Sequence, residues 1–157
     1  MGVGRSFGEA YAKAQLASGV FLPRQGAALL SVRDRDKDAA VELARILVAQ
    51  GFDIVATHGT AQKLAAAGVS CRRANKVREG RPHIVDMIKN GEIDLIVNTT
   101  EGKQAIGEST SIRAEAVRRG VTYYTTLAAA IATCKAIEHL DDIDVNRLQD
   151  LHNEVAA

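Results

Sequence analysis

Apolar runs alternate along the chain with amphipathic stretches, which predicts alternating strands and helices. Five runs predict strands: Ala27–Val32, Phe52–Thr57, Val69–Ala74, Glu92–Thr99 and Val121–Thr125. The run from Ile93 to Val97 is apolar at every position but Asp94. Such continuity is typical of strands buried on both faces of a sheet. The intervals carry helical patterns: Lys37–Gln50, Gly59–Ala67, Pro82–Asn90, Ser109–Arg119 and Leu127–Glu138.

Glycine marks most of the boundaries between these elements. Four glycines each follow a helical pattern and precede a strand, as expected for the left-handed residue that closes a helix: Gly51, Gly68, Gly91 and Gly120. Pro82 stands where a first helical residue is expected. Asp36 or Asp38 is placed to cap the helix that ends before Gly51.

The alternation predicts an α/β fold with a parallel sheet and right-handed crossovers. Helices then cover both faces of about five mainly parallel strands, in a three-layer Rossmann-like or flavodoxin-like arrangement. Three segments lie outside this pattern: an amphipathic helix Ser6–Ala17, a linker Gly19–Gln25 and a short closing helix Asp144–Glu154. The pattern alone favours equally a fragment of a preceding domain and an ordinary N-terminal extension.

Composition and charge narrow the function classes. Apolar residues make up 46% of the 157 residues and aromatic residues 4%, so the core is expected to consist of Ala, Val, Ile and Leu. The net charge of +1 gives no global attraction to nucleic acid or membrane. No apolar run approaches the roughly 20 residues of a membrane span. The histidines show no metal-ligand spacing. Cys71 and Cys134 lie far apart, and no signal peptide is visible, which is typical of a cytoplasmic protein with reduced thiols.

Hydroxyl, amide and cationic side chains follow the predicted strands where each strand ends. Because ligands of open parallel sheets bind beyond the carboxyl ends of the strands, these side chains are expected to converge on one site. Helix N-termini, hydroxyls and lysines suit a phosphate group. We therefore predict a phosphate site at this edge, with Thr57 and Thr60 facing the anion at the start of the second helix and Lys37 and Lys76 reaching it from neighbouring loops.

Each of these residues also has an ordinary structural interpretation. A Thr before a helix is usually only a cap, and a loop Lys is usually only solvated. Catalysis has less support, because there is no carboxylate pair, no Ser-His-Asp order, no GxxxxGK[ST] loop and no GxGxxG. The third strand ends at Ala74-Asn75 and lacks the Asp of a phosphorelay receiver.

Several segments resemble the C-terminal allosteric domain of carbamoyl-phosphate synthase large subunits, which has the methylglyoxal-synthase-like fold. These segments are LLSVRDRDK, QGFDIVATHGTA, NKVREGRPHIVDMIKNG, LIVNTTEG and YYTTLA. NKVREGRPHI is the most specific of them, whereas T-x-G-T-A is shared across the wider superfamily. The start of the chain resembles the end of the preceding synthetase domain. The resemblance therefore implies that residues 1–25 are that tail and residues 26–157 the effector-binding domain.

The resemblance also implies ligands and partners. UMP as inhibitor and IMP as activator would bind at overlapping positions. The residues that would hold the phosphate are Ser31, Lys37, Thr57, Gly59, Thr60, Lys76, Asn98, Thr99 and Thr100. Tyr123 and Thr125 would contribute to an ornithine site. The fragment itself would be non-catalytic and without cofactor. The parent would be a glutamine-hydrolysing, ATP-dependent ligase of pyrimidine and arginine biosynthesis, using Mg or Mn and K. Its partners would be the rest of the large subunit and the glutaminase small subunit, and this domain would contribute to homo-oligomer assembly.

Methylglyoxal synthase, which eliminates phosphate from dihydroxyacetone phosphate, is the enzymatic alternative. By resemblance, its catalytic Asp corresponds to Arg81 and its catalytic His falls near Glu108. An Arg cannot serve as a carboxylate base. The sequence therefore favours a binding domain over an enzyme.

Overall fold

The computed structural model describes residues 1–141, 143–145 and 147–156. Its centre is one parallel sheet of five strands in the order β3-β2-β1-β4-β5. The strands are β1 (Gly26–Ser31), β2 (Phe52–Thr57), β3 (Arg72–Ala74), β4 (Leu95–Asn98) and β5 (Thr122–Tyr124). The predicted parallel α/β sheet is confirmed.

Seven helices accompany the sheet in the described part of the chain. They are α1 (Phe7–Ala17), α2 (Lys37–Ala49), α3 (His58–Ala66), α4 (Ile84–Lys89), α5 (Lys103–Arg119), α6 (Leu127–Ile137) and α7 (Leu148–Ala156). Two short 3₁₀ turns, Asp34–Asp36 and Val77–Glu79, precede α2 and α4. The four predicted closing glycines all have positive φ, as the sequence indicates.

The sheet is buried on both faces, because successive side chains of a strand point in opposite directions. On one face, Ala28 and Leu30 of β1 join a cluster that includes Leu47 of α2, Leu64 of α3 and Ala130 of α6. On the other face, β1 contributes Leu29 to a second cluster, whose helical members include Ile84 and Ile88 of α4 and Ile112 and Ala116 of α5. The helices on both faces and the aliphatic core agree with the prediction.

The start of α5 differs from the prediction. The helix begins at Lys103 rather than Ser109. Gly107 lies within this additional stretch, and glycine in a helix interior costs about 0.5–1 kcal/mol relative to alanine. Local helix propensity therefore indicated a later start. The packing of Ile112 and Ala116 onto the sheet offsets the cost of Gly107 in the helix.

Two predicted helix caps are wrong. Pro82 precedes α4 instead of opening it, and His83 is the capping residue: its Nδ1 accepts from the Asp86 N–H at 3.3 Å, while the Asp86 carboxylate accepts from the His83 N–H at 3.1 Å. Neither Asp36 nor Asp38 caps α2. Asp36 already has helical backbone angles and instead accepts from Arg33 Nε at 2.7 Å, and Asp38 pairs with Lys63 at 2.6 Å.

The N-terminal segment packs onto α6 and reaches the edge of the sheet, where the Thr122 hydroxyl of β5 donates to the Phe21 carbonyl. The Ser6 hydroxyl caps α1 by accepting from the Glu9 N–H at 3.1 Å. Ala12 and Leu22 then pack with Ala136 of α6 and with Leu140 in a small third cluster. The helix predicted over Ser6–Ala17 is thus present. The closing helix is also present but runs over Leu148–Ala156 rather than the predicted Asp144–Glu154.

Strand order determines where a ligand crevice opens. From β1, the chain continues through β2 and β3 on one side of the sheet, and then returns to β4 and β5 on the other. The connections after β1 and β4 therefore leave in opposite directions. A crevice opens between them beyond the carboxyl ends of the strands.

Candidate phosphate-binding site

A pocket of about 400 Å³ occupies this crevice. Its walls come from the carboxyl ends of β1, β2 and β4, from the segment before α4 and from the first turns of α5. Six residues predicted from the sequence line it: Ser31, Thr57, Lys76, Asn98, Thr99 and Thr100. We call it the phosphate pocket. The structure thus brings together residues that are up to 69 positions apart (31 to 100) in the chain.

Thr57 and Thr60 take different parts at the start of α3. Thr57 has extended backbone angles at the capping position, yet its side chain makes no capping hydrogen bond. The ordinary interpretation of Thr57 as a side-chain cap is therefore wrong. Its hydroxyl instead donates to the Thr60 hydroxyl at 3.4 Å, in a buried pair. Because Thr57 leaves first-turn N–H groups of α3 uncapped, these groups are suited to an anion.

The Thr60 hydroxyl is used inside the protein. Thr60 is 1% exposed, and its hydroxyl accepts from the Val32 N–H at 3.2 Å. That hydrogen bond fixes the turn after β1 against the start of α3. Thr60 is not among the residues that line the phosphate pocket.

Lys37 and Gly59 lie beside the pocket rather than in its wall. The Lys37 Nζ is 2.8 Å from Asp34 Oδ1, and Asp34 does line the pocket. A Cβ on Gly59 would stand 3.1 Å from Lys37 Nζ, so the missing side chain leaves room for the ammonium group near the N-terminus of α3. The hydrogen bond from Lys37 lowers the pKa of the Asp34 carboxyl, and the charge of Lys76 lowers it further. One end of the pocket is therefore cationic.

Asn98 and Thr99 form the opposite wall. The Thr99 hydroxyl accepts from the Arg33 N–H at 3.1 Å, and the Thr99 N–H donates to the Ser31 carbonyl at 3.0 Å. The Asn98 amide donates to the Tyr123 hydroxyl at 2.9 Å. Asn98 and Thr99 are both nearly fully buried, so the wall between β1 and β4 is rigidly held.

The two residues that the resemblance assigns to an ornithine site differ in burial and in their contacts. Tyr123 is half-buried, and its hydroxyl contacts Asn98 and Ser109. Thr125 is exposed just beyond β5 and does not line the phosphate pocket.

Sequence reasoning missed part of the pocket. Ser109 and Ile112 of α5 line it, as do the apolar residues Val77 and Ile84. The prediction that a helix starts at Ser109 hid the inward position of this residue. The signal that could have found it is the helical spacing from Ser109 to Ile112 and Ala116, which places all three on one buried face.

The two residues that correspond to the catalytic groups of methylglyoxal synthase lie in different places relative to the pocket. Arg81 is exposed, does not line the pocket, and pairs with Asp86 at 2.8 Å. Glu108 does line the pocket and lies 3.3 Å from Arg78 Nε, joining α5 to the turn before α4.

Among the residues described, no group of three His, Cys, Asp or Glu side chains is arranged to hold a metal ion. Within the same ranges, every helix is too short or too polar to cross a membrane.

These features define a class: parallel α/β domains with a crevice beyond the carboxyl ends of the strands, where the strand order reverses. The chain belongs to the MGS-like domain family, whose model matches residues 39–125. A methylglyoxal synthase from Elizabethkingia anophelis has a similar fold, with a TM-score of 0.55 and 20% sequence identity over 71% of this chain and 79% of that one.

Much more similar relatives are carbamoyl phosphate synthase large chains. The Pseudomonas putida protein is 55% identical over all 157 residues, and the Pseudomonas aeruginosa protein 53%. The Ralstonia nicotianae protein is 54% identical over 153 residues, or 97% of the chain. The chain spans 15% of the length of the two Pseudomonas relatives and 14% of the Ralstonia one. The predicted resemblance is confirmed.

Proposed function

We propose that the chain is the regulatory domain of a carbamoyl phosphate synthase large chain, and that it binds a nucleoside monophosphate effector in the phosphate pocket. UMP and IMP are the proposed effectors. The single observation that carries this proposal is the convergence of Ser31, Thr57, Lys76 and Asn98–Thr100 on one pocket at the strand-order reversal. The identity to carbamoyl phosphate synthase large chains supports the parent enzyme.

The cationic end of the pocket suits the phosphate. Lys76 lines the pocket, Lys37 lies beside it, and the N-terminus of α3 adds backbone donors. Asp34 is the counter-ion of Lys37 at 2.8 Å. A phosphate that enters would compete with Asp34 for the ammonium group, and charge-assisted hydrogen bonds of this type are the strong ones.

The remainder of the pocket suits a nucleoside. Its volume of about 400 Å³ lies in the range of roughly 300–1,000 Å³ that is typical of small-molecule sites. Val77, Ile84 and Ile112 supply apolar wall, and Thr100 and Asn98 supply polar groups. An apolar lining with a few placed polar groups is the usual composition of such sites.

Calorimetric titration with UMP tests the proposal. The parent chain is expected to show saturable binding, and Lys76→Ala is expected to weaken it at least about tenfold, because a hydrogen bond to a charged group contributes roughly 1.5–3 kcal/mol. Lys89→Ala is the matched control, since Lys89 is an exposed lysine of α4 outside the pocket. Absence of saturable binding, or equal affinity in Lys76→Ala and Lys89→Ala, would contradict the proposal.

Phosphate elimination is the second candidate function, and Glu108 favours it because it is a carboxylate in the pocket wall. Against it, Arg81 lies outside the pocket, pairs with Asp86, and has no acceptor with which to take up a proton. Incubation with dihydroxyacetone phosphate is expected to yield no methylglyoxal above the background rate. Turnover that disappears in Glu108→Gln would establish the enzyme instead.

Regulation in the whole enzyme would follow from linkage. An effector shifts activity only by binding two states of the enzyme with different affinity, typically by about 1–3 kcal/mol. The proposed partners in that coupling are the rest of the large chain, the glutaminase subunit and ornithine. Tyr123 and Thr125, at the end of β5, are the proposed contribution to the ornithine site.

A further inference from the structure

Two buried polar side chains, Asn98 and Ser109, meet the hydroxyl of the half-buried Tyr123 at the side of the phosphate pocket. The Asn98 amide nitrogen donates to the Tyr123 hydroxyl at 2.9 Å, and that hydroxyl lies 3.1 Å from the Ser109 hydroxyl. Asn98 is 4% exposed and Ser109 2%. The three residues belong to β4, β5 and α5, so the Tyr123 oxygen joins three elements at one point.

The donors and acceptors of this cluster have a defined order. The Asn98 nitrogen can only donate, so the Tyr123 oxygen accepts from it. The single Tyr123 proton is then available to the Ser109 hydroxyl. With one N–H engaged by Tyr123, Asn98 retains its carbonyl oxygen and one N–H for a ligand. The Tyr123 hydroxyl therefore determines which polar atoms Asn98 can offer.

The Tyr123 ring is itself held in place. The Arg113 guanidinium lies over the ring, 5.7 Å from its centre, which is within the range of a cation–π contact. The ring also packs against the second core cluster, between β4 and α5. A fixed ring gives the hydroxyl a fixed position, and a buried polar chain of this type is worth more when every member is satisfied.

We infer that Tyr123 is a positioning residue of the phosphate pocket: its hydroxyl orients the Asn98 amide and ties the β4 wall to the α5 wall through Ser109. The inference rests on the proposed function for the identity of its ligand. The contacts of the Tyr123 hydroxyl with Asn98 and Ser109 are present in the ligand-free protein. Asn98 and Ser109 both line the pocket, so a change at Tyr123 reaches a ligand through them.

The test compares Tyr123→Phe with Tyr124→Phe. Tyr124 packs against the first core cluster, on the opposite face of the sheet from Tyr123 and outside the phosphate pocket, so removal of its hydroxyl is a matched control on the same strand. In ¹⁵N-labelled, ligand-free protein, Tyr123→Phe is expected to shift the Asn98 side-chain amide signals, which Asn98→Ala identifies by their loss. Tyr124→Phe is expected to leave them in place.

UMP titration of a double-mutant cycle provides the second readout. Tyr123→Phe is expected to weaken binding roughly threefold to tenfold in the parent, and by less than about twofold when Asn98 is already Ala, because coupled residues are not additive. If Tyr123 only stabilised the fold, Tyr123→Phe would weaken UMP binding by the same factor whether or not Asn98 is replaced by Ala. Equal losses would overturn the inference.

The remaining outcomes are also decisive. Unchanged Asn98 signals in Tyr123→Phe would overturn the inference whatever the affinity. Should the parent fail to bind UMP, the proposed function falls, and the Asn98 signals alone decide the role of Tyr123. Should Tyr123→Phe fail to fold, Ser109→Ala interrupts the same chain from α5: a shift of the Asn98 amide supports the inference and its absence overturns it.

Discussion

Single hydroxyls hold the phosphate pocket together at the residue scale. The Thr60 hydroxyl accepts from the buried Val32 N–H, and the Thr99 hydroxyl accepts from the Arg33 N–H. The first bond joins the turn after β1 to the start of α3, and the second joins it to the end of β4. The same side-chain type that suggested a ligand contact from the sequence therefore also fixes the backbone around the pocket.

Thr60→Val removes an acceptor and retains the shape of the side chain. We expect it to lower the free energy of unfolding by about 1–3 kcal/mol, because the Val32 N–H is left buried and unpaired. Thr60→Ser keeps the hydroxyl and is expected to lose less. Urea unfolding followed by circular dichroism measures the difference, and an unchanged midpoint in Thr60→Val would show that the bond contributes nothing.

The two thiols are expected to differ in reactivity. Burial, with the Glu138 charge adding to it, raises the pKa of the Cys134 thiol to about 12, whereas Cys71 is only partly buried. Since the thiolate is the reactive form, a thiol reagent at a pH of about 8 should modify Cys71 first and Cys134 only after unfolding. Mass spectrometry of the alkylated peptides tells them apart. Faster modification of Cys134 in the folded protein would contradict the structure.

At the scale of elements, the start of β1 depends on a missing side chain. Gly26 has a φ of 120°, and a Cβ there would collide with the Asp94 carboxylate. That carboxylate accepts from the Ala27 N–H at 2.8 Å, so it cannot move away without cost. Gly51 also has positive φ, 88°, but a Cβ at that position would have no neighbouring atom within 4 Å.

Gly26→Ala is therefore expected to destabilise the protein by more than about 2 kcal/mol, from backbone strain and overpacking together. Gly51→Ala should cost only the backbone term of about 1–2 kcal/mol. Chemical denaturation of the two variants provides the comparison. Equal losses of stability in the two variants would mean that the Asp94 carboxylate can move aside at no cost in free energy.

The start of α4 should respond to pH through Asp86. The hydrogen bond from the His83 N–H lowers the pKa of this carboxyl below the usual 3.8, and the charge of Arg81 lowers it further. A lowered folded-state pKa gives stability that is fully present above about pH 4 and is lost as the pH falls through the lowered value. Acid unfolding of Asp86→Asn should show a shallower pH dependence in that range. An identical profile would argue against the cap.

The strands and helices could largely be predicted from the sequence, but the residues at which they begin and end could not. Continuous apolar runs predicted the central strands, because burial on both faces leaves that pattern. The third predicted run, Val69–Ala74, contains two arginines, and it was placed by the glycine before it and by its position between two helical patterns. The starts of α4 and α5 were missed where local propensity and tertiary packing disagree: Pro82 suggested an early start, whereas His83 and Asp86 cap each other, and Gly107 obscured the first turns of α5.

At the scale of the whole molecule, the pocket exists only because the strand order reverses at β1. Ser31, Thr57 and Asn98 come from three neighbouring strands, and Ser109 comes from the helix that follows β4. Polar residues at strand ends were readable from the sequence. The helical spacing of Ser109, Ile112 and Ala116 could have indicated the α5 wall, whereas the internal use of Thr60 depends on three-dimensional packing that no local pattern reveals.

A crystal structure of the chain with UMP tests the central claim most directly. We expect the phosphate group within hydrogen-bond distance of Lys76 and the Thr57 hydroxyl, with the nucleoside between Asn98 and the Ile112 side. A second crevice of about 750 Å³ lies at the amino ends of β1, β2 and β3, lined by Arg45 and Arg72 among others. UMP bound there, or absent from both crevices at saturating concentration, would contradict the proposed effector site.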